Sequence, residues 1–366
     1  MRSRTGYNDS VSSAREDPAR VRGQGQGREP ERGRGPGRGL SVERCKGTFF
    51  HDLLGAWAIA WTYLPMLAAL ALFARWPALW SFALAFVMIS VRQNALFVVA
   101  HESWHLTLFR SRRASELAGA WLASYPLLMP NGPTREGHLE HHRKVGTLED
   151  PDRYAWNWGL EERAAWARHL LAVASGVPFL VRAGRALLGL PAPAGESARR
   201  MRPSHNLAGD RRELLGLGVV QLTLLGLFAV TIGWYWYFAL WLLPAISLHL
   251  VVDEMRQFLE HRNGRILVYE ASPLGRFILG AFNFHLHAVH HVFASEPWFC
   301  LPALKERALG KRSDIVRLKG YFGELVAYLR GRDRVGLSPP ESAPDAKGFA
   351  SASSDPTAQS LHSPQA

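Results

Sequence analysis

The sequence predicts an all-α integral membrane protein with four transmembrane helices in two hairpins and a cytoplasmic helical cap. First, polar ends flank an interior with four long apolar runs, so the mean hydropathy of -0.07 averages two unlike regions. Each run approaches the roughly 20 residues that cross a bilayer. Second, short turns join the runs in pairs. Third, three histidine groups, expected to lie in the cap, occur at or beyond the ends of the runs.

The first predicted hairpin contains spans from about Ala56 to Ala74 and onward from about Ala78. The turn 75–77, Arg-Trp-Pro, separates them. The second span carries Arg-Gln-Asn at positions 92–94, ahead of a further apolar stretch. Because such side chains are costly in hydrocarbon, the last turns of this span either leave the membrane or face a polar cavity.

The second predicted hairpin contains spans from about Leu214 to Ile232 and from Trp234 to Val252. Gly233 joins them, and its missing side chain permits a tight turn. The basic N-terminal region, the Arg-rich segment 109–212 and the C-terminal region then share the membrane side opposite the turns. By the positive-inside rule this side is cytoplasmic. We therefore predict a multi-pass protein of the cell membrane with both termini in the cytoplasm.

The remaining segments are predicted to lie outside the membrane. Residues 117–129 and 170–190 are moderately apolar and contain or abut Pro, Gly or Arg, which indicates interfacial or packed helices. Residues 1–44 are predicted to be a disordered basic tail, 45–332 the membrane domain, and 333–366 a second disordered tail. An early apolar segment is lacking, so we do not expect a cleaved secretory signal.

The composition argues against two classes of protein. The formal net charge is +12, but no helix-turn-helix, zinc-finger or aromatic RNA-binding signature accompanies it, so we expect no nucleic-acid partner. Two cysteines are too few for a disulfide framework, a cysteine zinc site or an iron-sulfur cluster held by four thiolates. Any electrons for redox chemistry must therefore come from outside the chain.

The histidines carry the chemical signal. Eight of the 15 histidines form an HxxxH group and two HxxHH groups. The groups are His101 and His105; His138, His141 and His142; and His287, His290 and His291. Residues three or four apart share a helix face, so each group can direct at least two imidazoles to one point. One such pair is weak evidence, but the repetition favours metal binding over surface or core histidines.

The number of histidines indicates more than one metal ion. Imidazole binds iron, zinc, copper and nickel, so the ligand type does not identify the metal. Eight histidines exceed what one four-coordinate zinc needs, and they suggest two ions. Paired Glu-x-x-His motifs of soluble di-iron bundles are absent from the sequence. The first two histidine groups precede the second hairpin and the third follows it. Because a hairpin crosses the membrane twice, all three groups are expected on the same side.

The order HxxxH, HxxHH, HxxHH around two hairpins resembles the membrane fatty acid desaturase superfamily, from about Gly47 to Leu329. Segments 146–152 and 295–302 resemble the stretches that follow the boxes in bacterial members. The resemblance implies two iron ions (Fe²⁺) held by the eight histidines, with O₂ as co-substrate. It also implies a lipid desaturase among membrane lipids, with an external electron donor of the ferredoxin or cytochrome type.

Family members often have a ninth histidine ligand, with an amide residue four positions earlier. Gln257 and His261 have this spacing, so the resemblance assigns the ninth ligand to His261, while Asn283, four before His287, is the competing amide. His249 and His285 stay unassigned. Several acids are candidates to accept a ligand ring N–H, although solvent contact is the commoner role for any one of them. They are Glu102, Glu140, Asp150, Asp152 and Glu260.

Two other functions stay open. A lipid or carotenoid hydroxylase or ketolase would use the same iron centre and add oxygen to the substrate. A metal transporter or sensor belongs to another class. It is disfavoured because transporters place polar ligands at mid-depth within their spans, whereas these histidines lie at or beyond the ends.

Overall fold

A computed structural model describes residues 42–190, 210–333 and 335, which are mostly helical. The predicted tails fall outside the described residues, except for 42–44, 333 and 335. In chain order the α-helices are α1 (Phe49–Arg75), α2 (Leu79–Trp104), α3 (Arg112–Gly119), α4 (Asn131–Lys144), α5 (Arg153–Trp156), α6 (Arg163–Ala174), α7 (Val177–Leu187), α8 (Arg211–Thr231), α9 (Tyr235–Tyr237), α10 (Leu243–Ile246), α11 (Leu248–His261), α12 (Pro273–Ile278), α13 (His287–Val292), α14 (Leu301–Lys311) and α15 (Tyr321–Leu329).

Shorter elements connect these helices. The strands β1 (Leu267–Tyr269) and β2 (Val316–Leu318) pair in parallel, with Val268 opposite Arg317. This pairing ties the segment after α11 to the segment before α15. The 3₁₀ helices are Val42–Cys45, Tyr125–Leu127, Leu160–Glu162, Arg262–Gly264, Ala281–Leu286 and Trp298–Cys300, and the π-helical segments are Ala120–Ser124 and Phe238–Leu242.

Four described helical segments are long and apolar enough to cross a bilayer, as the sequence predicts. They are α1, α2, α8 and the run from Tyr235 to Gly264. The last extends about three turns beyond the predicted end at Val252, because α11 continues through polar residues that are buried in the protein. A fifth segment would qualify only if α6 and α7, bent by 67° relative to each other, counted as one span.

The helix α8 shows the surface expected of a membrane span. Its side chains at Leu215, Leu222 and Val230 are 68%, 69% and 81% exposed. Large apolar side chains on one helix are normally covered by a partner or by lipid. The turn after α8 contains Gly233 with φ +113°, a backbone conformation that L side chains rarely adopt.

The second half of α2 lies at the centre of the protein, since every residue from Ser90 to Trp104 is buried. Its polar residues bind backbone carbonyls of three neighbouring segments, which holds α2 against α1, the fourth span and α12. The bonds run from Arg92 Nη2 to Trp61 O (3.1 Å), from Gln93 Nε2 to Trp241 O (3.1 Å) and from Asn94 Nδ2 to Ile278 O (2.9 Å).

A glycine permits close packing beside the first histidine group. A Cβ atom at Gly119 would lie 1.7 Å from Ser103 Oγ, so any larger residue would push α3 away from α2. Ser103 stands between His101 and His105 on α2. The small residue therefore lets α3 support the part of α2 that carries these histidines.

Candidate metal centre

Nine histidines form two groups, and they lie on four helices or, in the case of His105, directly after one. Each histidine offers one ring nitrogen, and within a group these nitrogens all lie within 4.8 Å of one another. The groups contain all eight box histidines and His261. The first cluster is His101, His105, His138, His142 and His290, and the second cluster is His141, His261, His287 and His291. All of these side chains are buried except that of His105, which is partly buried.

The HxxHH spacing distributes each box over both clusters. On α4, His138 and His142 are four apart and share a helix face, and both belong to the first cluster. His141 is about 100° around the helix from His142 and belongs to the second cluster. On α13 the assignment is reversed, because His290 belongs to the first cluster, whereas His287 and His291, which are four residues apart, belong to the second. Both helices therefore lie between the clusters.

The nitrogen atoms of the first cluster are spaced as metal ligands are. Four Nε2 atoms form a closed ring, whose neighbours are separated by 2.8 Å (His105 to His138), 3.0 Å (His138 to His142), 3.2 Å (His142 to His290) and 3.1 Å (His290 to His105). A metal–imidazole bond is about 2.1 Å, so ligands at right angles are about 3.0 Å apart. In the described residues, neither ring nitrogen of His101 has a hydrogen-bond partner.

The second cluster adjoins the first. Nε2 of His291 lies 3.1 Å from Nε2 of His287, and the ring of His261 is centred 4.9 Å from each of these two rings. The rings of His142 and His291, from different clusters, stack with centroids 4.2 Å apart. Two metal ions held by these clusters would therefore be close neighbours.

The electrostatics favour neutral imidazoles, the form that binds metals. Burial, followed by neighbouring charges, holds the pKa of six cluster histidines well below the ordinary value of 6.5. They are His105, His138, His142, His287, His290 and His291. These buried nitrogens fit divalent first-row ions such as iron, zinc or copper. The donor set therefore fits two metal ions.

Asp150 supports the second cluster from outside. Its Oδ1 accepts a hydrogen bond from Nδ1 of His141 at 2.8 Å, which leaves Nε2 of His141 for the cluster. Its Oδ2 accepts from Trp156 Nε1 at 3.2 Å, and the acid is only 4% exposed. Burial alone would lower the pKa of His141, but Asp150 raises it above its ordinary value. For Asp150, the interpretation as a solvated acid is therefore wrong.

Two other acids after or within the second box have lesser roles. Glu140 is partly exposed and forms ion pairs with Arg143 and Lys144, both at 2.6 Å, so it is a surface acid. Asp152 Oδ2 lies 3.9 Å from Nδ1 of His141, beyond hydrogen-bond distance. Among the acids of the described residues, Asp150 is therefore the one that accepts the ring N–H of His141.

Glu102 lies beside the first cluster without bonding to it. Its Oε1 is 3.8 Å from Nδ1 of His101. Its Oε2 instead accepts from Thr107 Oγ1 at 2.8 Å and from the backbone N–H of Trp298 at 3.1 Å. Glu102 thus fixes the chain after the third box against the end of α2.

The fifth candidate acid, Glu260, belongs to a buried charge network that sequence reasoning missed. Arg256 donates to Asp253 Oδ1 and to Glu260 Oε2, both at 2.7 Å, and Tyr321 donates to Glu260 Oε1 at 3.0 Å. The guanidinium lies 4.6 Å from the ring centre of Phe284. The sequence contained a signal for this network, because Asp253 and Glu260 lie three residues before and four residues after Arg256 and so share its helix face.

The two amides proposed for the ninth-ligand motif bind other groups. Gln257 Nε2 donates to Asp253 Oδ2 at 2.9 Å, and its Oε1 accepts from Tyr154 at 3.4 Å. Asn283 Nδ2 donates to the carbonyl oxygen of Trp298 at 3.2 Å. His261 thus joins the second cluster, while both amides have protein partners.

An apolar cavity of about 430 Å³ lies between α4, α7, α8 and α11. Its size falls within the range of small-molecule sites. Thr134, one turn before His138, lines it, as do Phe179, Leu217 and Leu250. His249 also lines this cavity, and it is not a member of either cluster. His285 is buried outside both clusters, and burial lowers its pKa to about 4.

The comparison with known families agrees with this geometry. The sequence profile of the family described as fatty acid desaturase matches residues 74–317. The chain belongs to the fatty acid desaturase family. The match runs from the end of α1 into β2, so all nine cluster histidines lie within it. Fatty acid desaturase membership implies a lipid substrate and a membrane setting. No individual curated protein matches the chain.

Proposed function

We propose that this protein is an oxygen-dependent di-iron desaturase that introduces a double bond into a fatty acyl or related lipid chain. The two adjoining clusters of buried imidazoles are the observation that carries this proposal. The first cluster would hold one iron ion and the second cluster the other. When bound, the iron pair would couple the removal of two hydrogens from a CH₂–CH₂ unit, with two electrons and two protons from outside, to the reduction of O₂ to two water molecules.

The protein's own residues position the metal ligands and exclude water from the metal centre. The helices α2, α4, α11 and α13 position the imidazoles, and Asp150 orients His141. Trp104 and Phe284 close the first cluster, since both are buried and lie against His101 with ring centroids 6.3 and 4.8 Å away. Exclusion of water prevents side reactions of a reactive centre.

The electrons would come from a separate donor of the ferredoxin or cytochrome type, because the described residues contain no cysteine cluster. We further propose two transmembrane hairpins, a cytoplasmic cap that contains the clusters, and cytoplasmic termini. The three-residue connection between α1 and α2 and the tight turn at Gly233 support this arrangement.

The lipid chain would lie in the apolar cavity, with the methylenes that react near the first cluster. The cavity supports this role because Thr134 on its wall precedes His138 by one helical turn. Two of the four helices that line the cavity, α7 and α8, carry no cluster histidine, so side chains on these two helices can select chain length without contacting the metal ligands.

Product analysis tests the reaction. The iron-loaded protein, supplied with a reductant and acyl substrates, should release a product lighter by two hydrogens, detected by mass spectrometry. Expression in a host of known lipid composition should produce the same change in its lipids. A product that gains one oxygen and loses no hydrogens would identify a hydroxylase and refute the desaturase proposal. Full activity after complete metal removal would refute both.

A matched pair of glycine substitutions tests the cavity. Gly218 lines the cavity, and neither Gly218 nor Gly226, both on α8, has an atom within 4 Å of an added Cβ. Gly218→Leu should reduce turnover of long chains more than that of short chains, because the side chain fills the cavity. Gly226→Leu should leave the chain-length profile unchanged. Equal profiles for both variants would exclude this cavity as the chain site.

A further inference from the structure

Three arginines are among the largest fully buried side chains in the described residues: Arg92, Arg256 and Arg262. Two of them are neutralised by a pair of acids each. The acids are Asp253 and Glu260 for Arg256, and Glu324 and Asp333 for Arg262. For Arg92, no carboxylate of the described residues lies within ion-pair distance. A buried ion without a partner is strongly destabilising, so Arg92 stands out as a cation that lacks a counterion.

The contacts of Arg92 leave part of its guanidinium available. Nη2 donates to the Trp61 carbonyl at 3.1 Å, and the guanidinium carbon lies 5.1 Å from the ring centre of Phe277. Nε is buried and has no hydrogen-bond partner in the described residues. A ring face and one carbonyl satisfy a guanidinium only in part, because it has five N–H donors.

Arg92 lines a cavity of about 290 Å³, here called the tryptophan–arginine pocket. Its walls are formed by Trp57 and Trp61 of α1, by Arg276 and Phe277 of α12, and by Phe282 and Trp298. Arg276 is exposed and bonds through Nε to the carbonyl of Ala271 at 3.0 Å. It also has no carboxylate partner within the described part of the chain. Two arginines without acids therefore face one small pocket.

We propose that this pocket binds the phosphate of an anionic membrane phospholipid, with Arg92 as the inner cation and Arg276 as the outer one. Arginine presents parallel N–H donors that match phosphate oxygens. The phosphate would supply the missing counterion of Arg92. This binding site is distinct from the two histidine clusters and from the apolar cavity.

The aromatic walls indicate that the anion belongs to a lipid. Trp57 and Trp61 stack with ring centroids 5.8 Å apart, and they are 47% and 46% exposed on a helix that is apolar enough to span the membrane. Tryptophan is the residue enriched where acyl chains meet headgroups. A free phosphate would need the arginines alone, whereas a phospholipid would also cover the exposed tryptophans.

The pocket also adjoins the segment that leads to the third histidine box. Phe282 and Asn283 have φ values of +51° and +61°, a left-handed conformation that is strained for Phe282, whereas asparagine tolerates it. The backbone N–H of Trp298 is bonded to Glu102, the neighbour of His101. A bound lipid would therefore pack against the wall that supports both His287 and the end of α2.

Native mass spectrometry of the full-length protein in nanodiscs can test this proposal without turnover. The nanodiscs contain equal amounts of phosphatidylglycerol and phosphatidylcholine. The wild-type protein should retain phosphatidylglycerol preferentially. Arg92→Gln should bind it at least roughly tenfold more weakly, because a charge-assisted contact is lost. Arg276→Gln, at an exposed position that does not endanger folding, should also weaken retention, and Arg92→Lys should restore much of it.

Arg113→Gln is the matched control, since it removes the same charge from an exposed site on α3 outside the pocket. It should retain phosphatidylglycerol as the wild type does. Equal retention of the two lipids by the wild type, or wild-type retention by both Arg92→Gln and Arg276→Gln, would overturn the proposal. Displacement of the phospholipid by a long-chain fatty acid at equal concentration would overturn the phosphate assignment in favour of a carboxylate. Absence of desaturase activity would leave the lipid result intact.

Discussion

The two histidine clusters differ in what orients their imidazoles. In the first cluster, four Nε2 atoms meet at 2.8 to 3.2 Å, and within the described residues no carboxylate hydrogen-bonds to any member. Helix packing and burial hold these rings. The second cluster has one fewer histidine, and Asp150 fixes His141. Metal binding by the first cluster therefore depends on its histidines and on the packing around them. Metal binding by the second cluster also depends on Asp150, an acid outside the cluster.

Loss of a histidine from the first cluster should have the largest effect. His138→Ala or His290→Ala opens the ring of four nitrogens, so turnover should fall below detection while membrane insertion stays intact. Iron analysis, turnover and membrane fractionation check this result. His51→Ala is the control, because His51 is buried but bonds to the Thr107 carbonyl outside both clusters. Retained turnover in both cluster variants would remove these positions from the metal site.

Loss of a histidine from the second cluster should remove one ion and spare the other. His261→Ala leaves three histidines there, so metal content should fall from about two ions per chain to about one. Elemental analysis of the purified protein measures this change. His285→Ala, at a buried histidine outside both clusters, should keep both ions. An unchanged metal content in His261→Ala would contradict the assignment of His261 as a ligand.

Removal of the acid should weaken the second cluster without abolishing it. Asp150→Asn replaces the carboxylate that holds Nδ1 of His141, and such changes typically lower metal affinity about 10- to 100-fold. Competition with a chelator measures the affinity. Glu140→Gln should have no such effect, since Glu140 pairs with surface cations. Equal affinities in the two variants would show that Asp150 has no special role.

The last expected effect concerns the stability of the metal-free protein, which should be sensitive to acid. The four first-cluster histidines outside the spans have pKa values below 6.5, whereas His141 is raised. As pH falls below 6.5, these four histidines take up protons in the unfolded chain before they do so in the folded protein. Stability should therefore decline, by at most about 1.4 kcal/mol per pH unit for each such histidine.

Thermal unfolding of the metal-free protein at pH 7.5 and 5.5 measures this decline. His141 acts in the opposite direction, because its raised pKa contributes stability below 6.5 that is lost as pH rises through its folded pKa. Asp150→Asn should therefore increase the acid sensitivity. A melting temperature that does not change between the two pH values would contradict the assignment of neutral buried histidines.

Much of the fold could be predicted from the sequence, because it depends on local properties. These are the hydropathy over about 20 residues and the helix-breaking residues Pro77 and Gly233 between the apolar segments. Three of the four apolar segments begin within three residues of the predicted positions, whereas the first begins at Phe49, seven residues before the predicted start at Ala56. The end of the fourth was predicted too early, at Val252. Polar residues such as Asp253 and Arg256 neutralise each other inside the protein, so hydropathy falls while the helix continues.

The sequence by itself determined which histidines stand together on each helix, since the period of the α-helix places residues four apart on one face. Only the tertiary structure decided that each HxxHH box serves both clusters, that Asp150 is buried against His141, and that Arg92 lacks an acid partner among the described residues. The physical reason is that these relations depend on distances between residues far apart in the chain. Helix packing sets those distances, and the local pattern does not encode them.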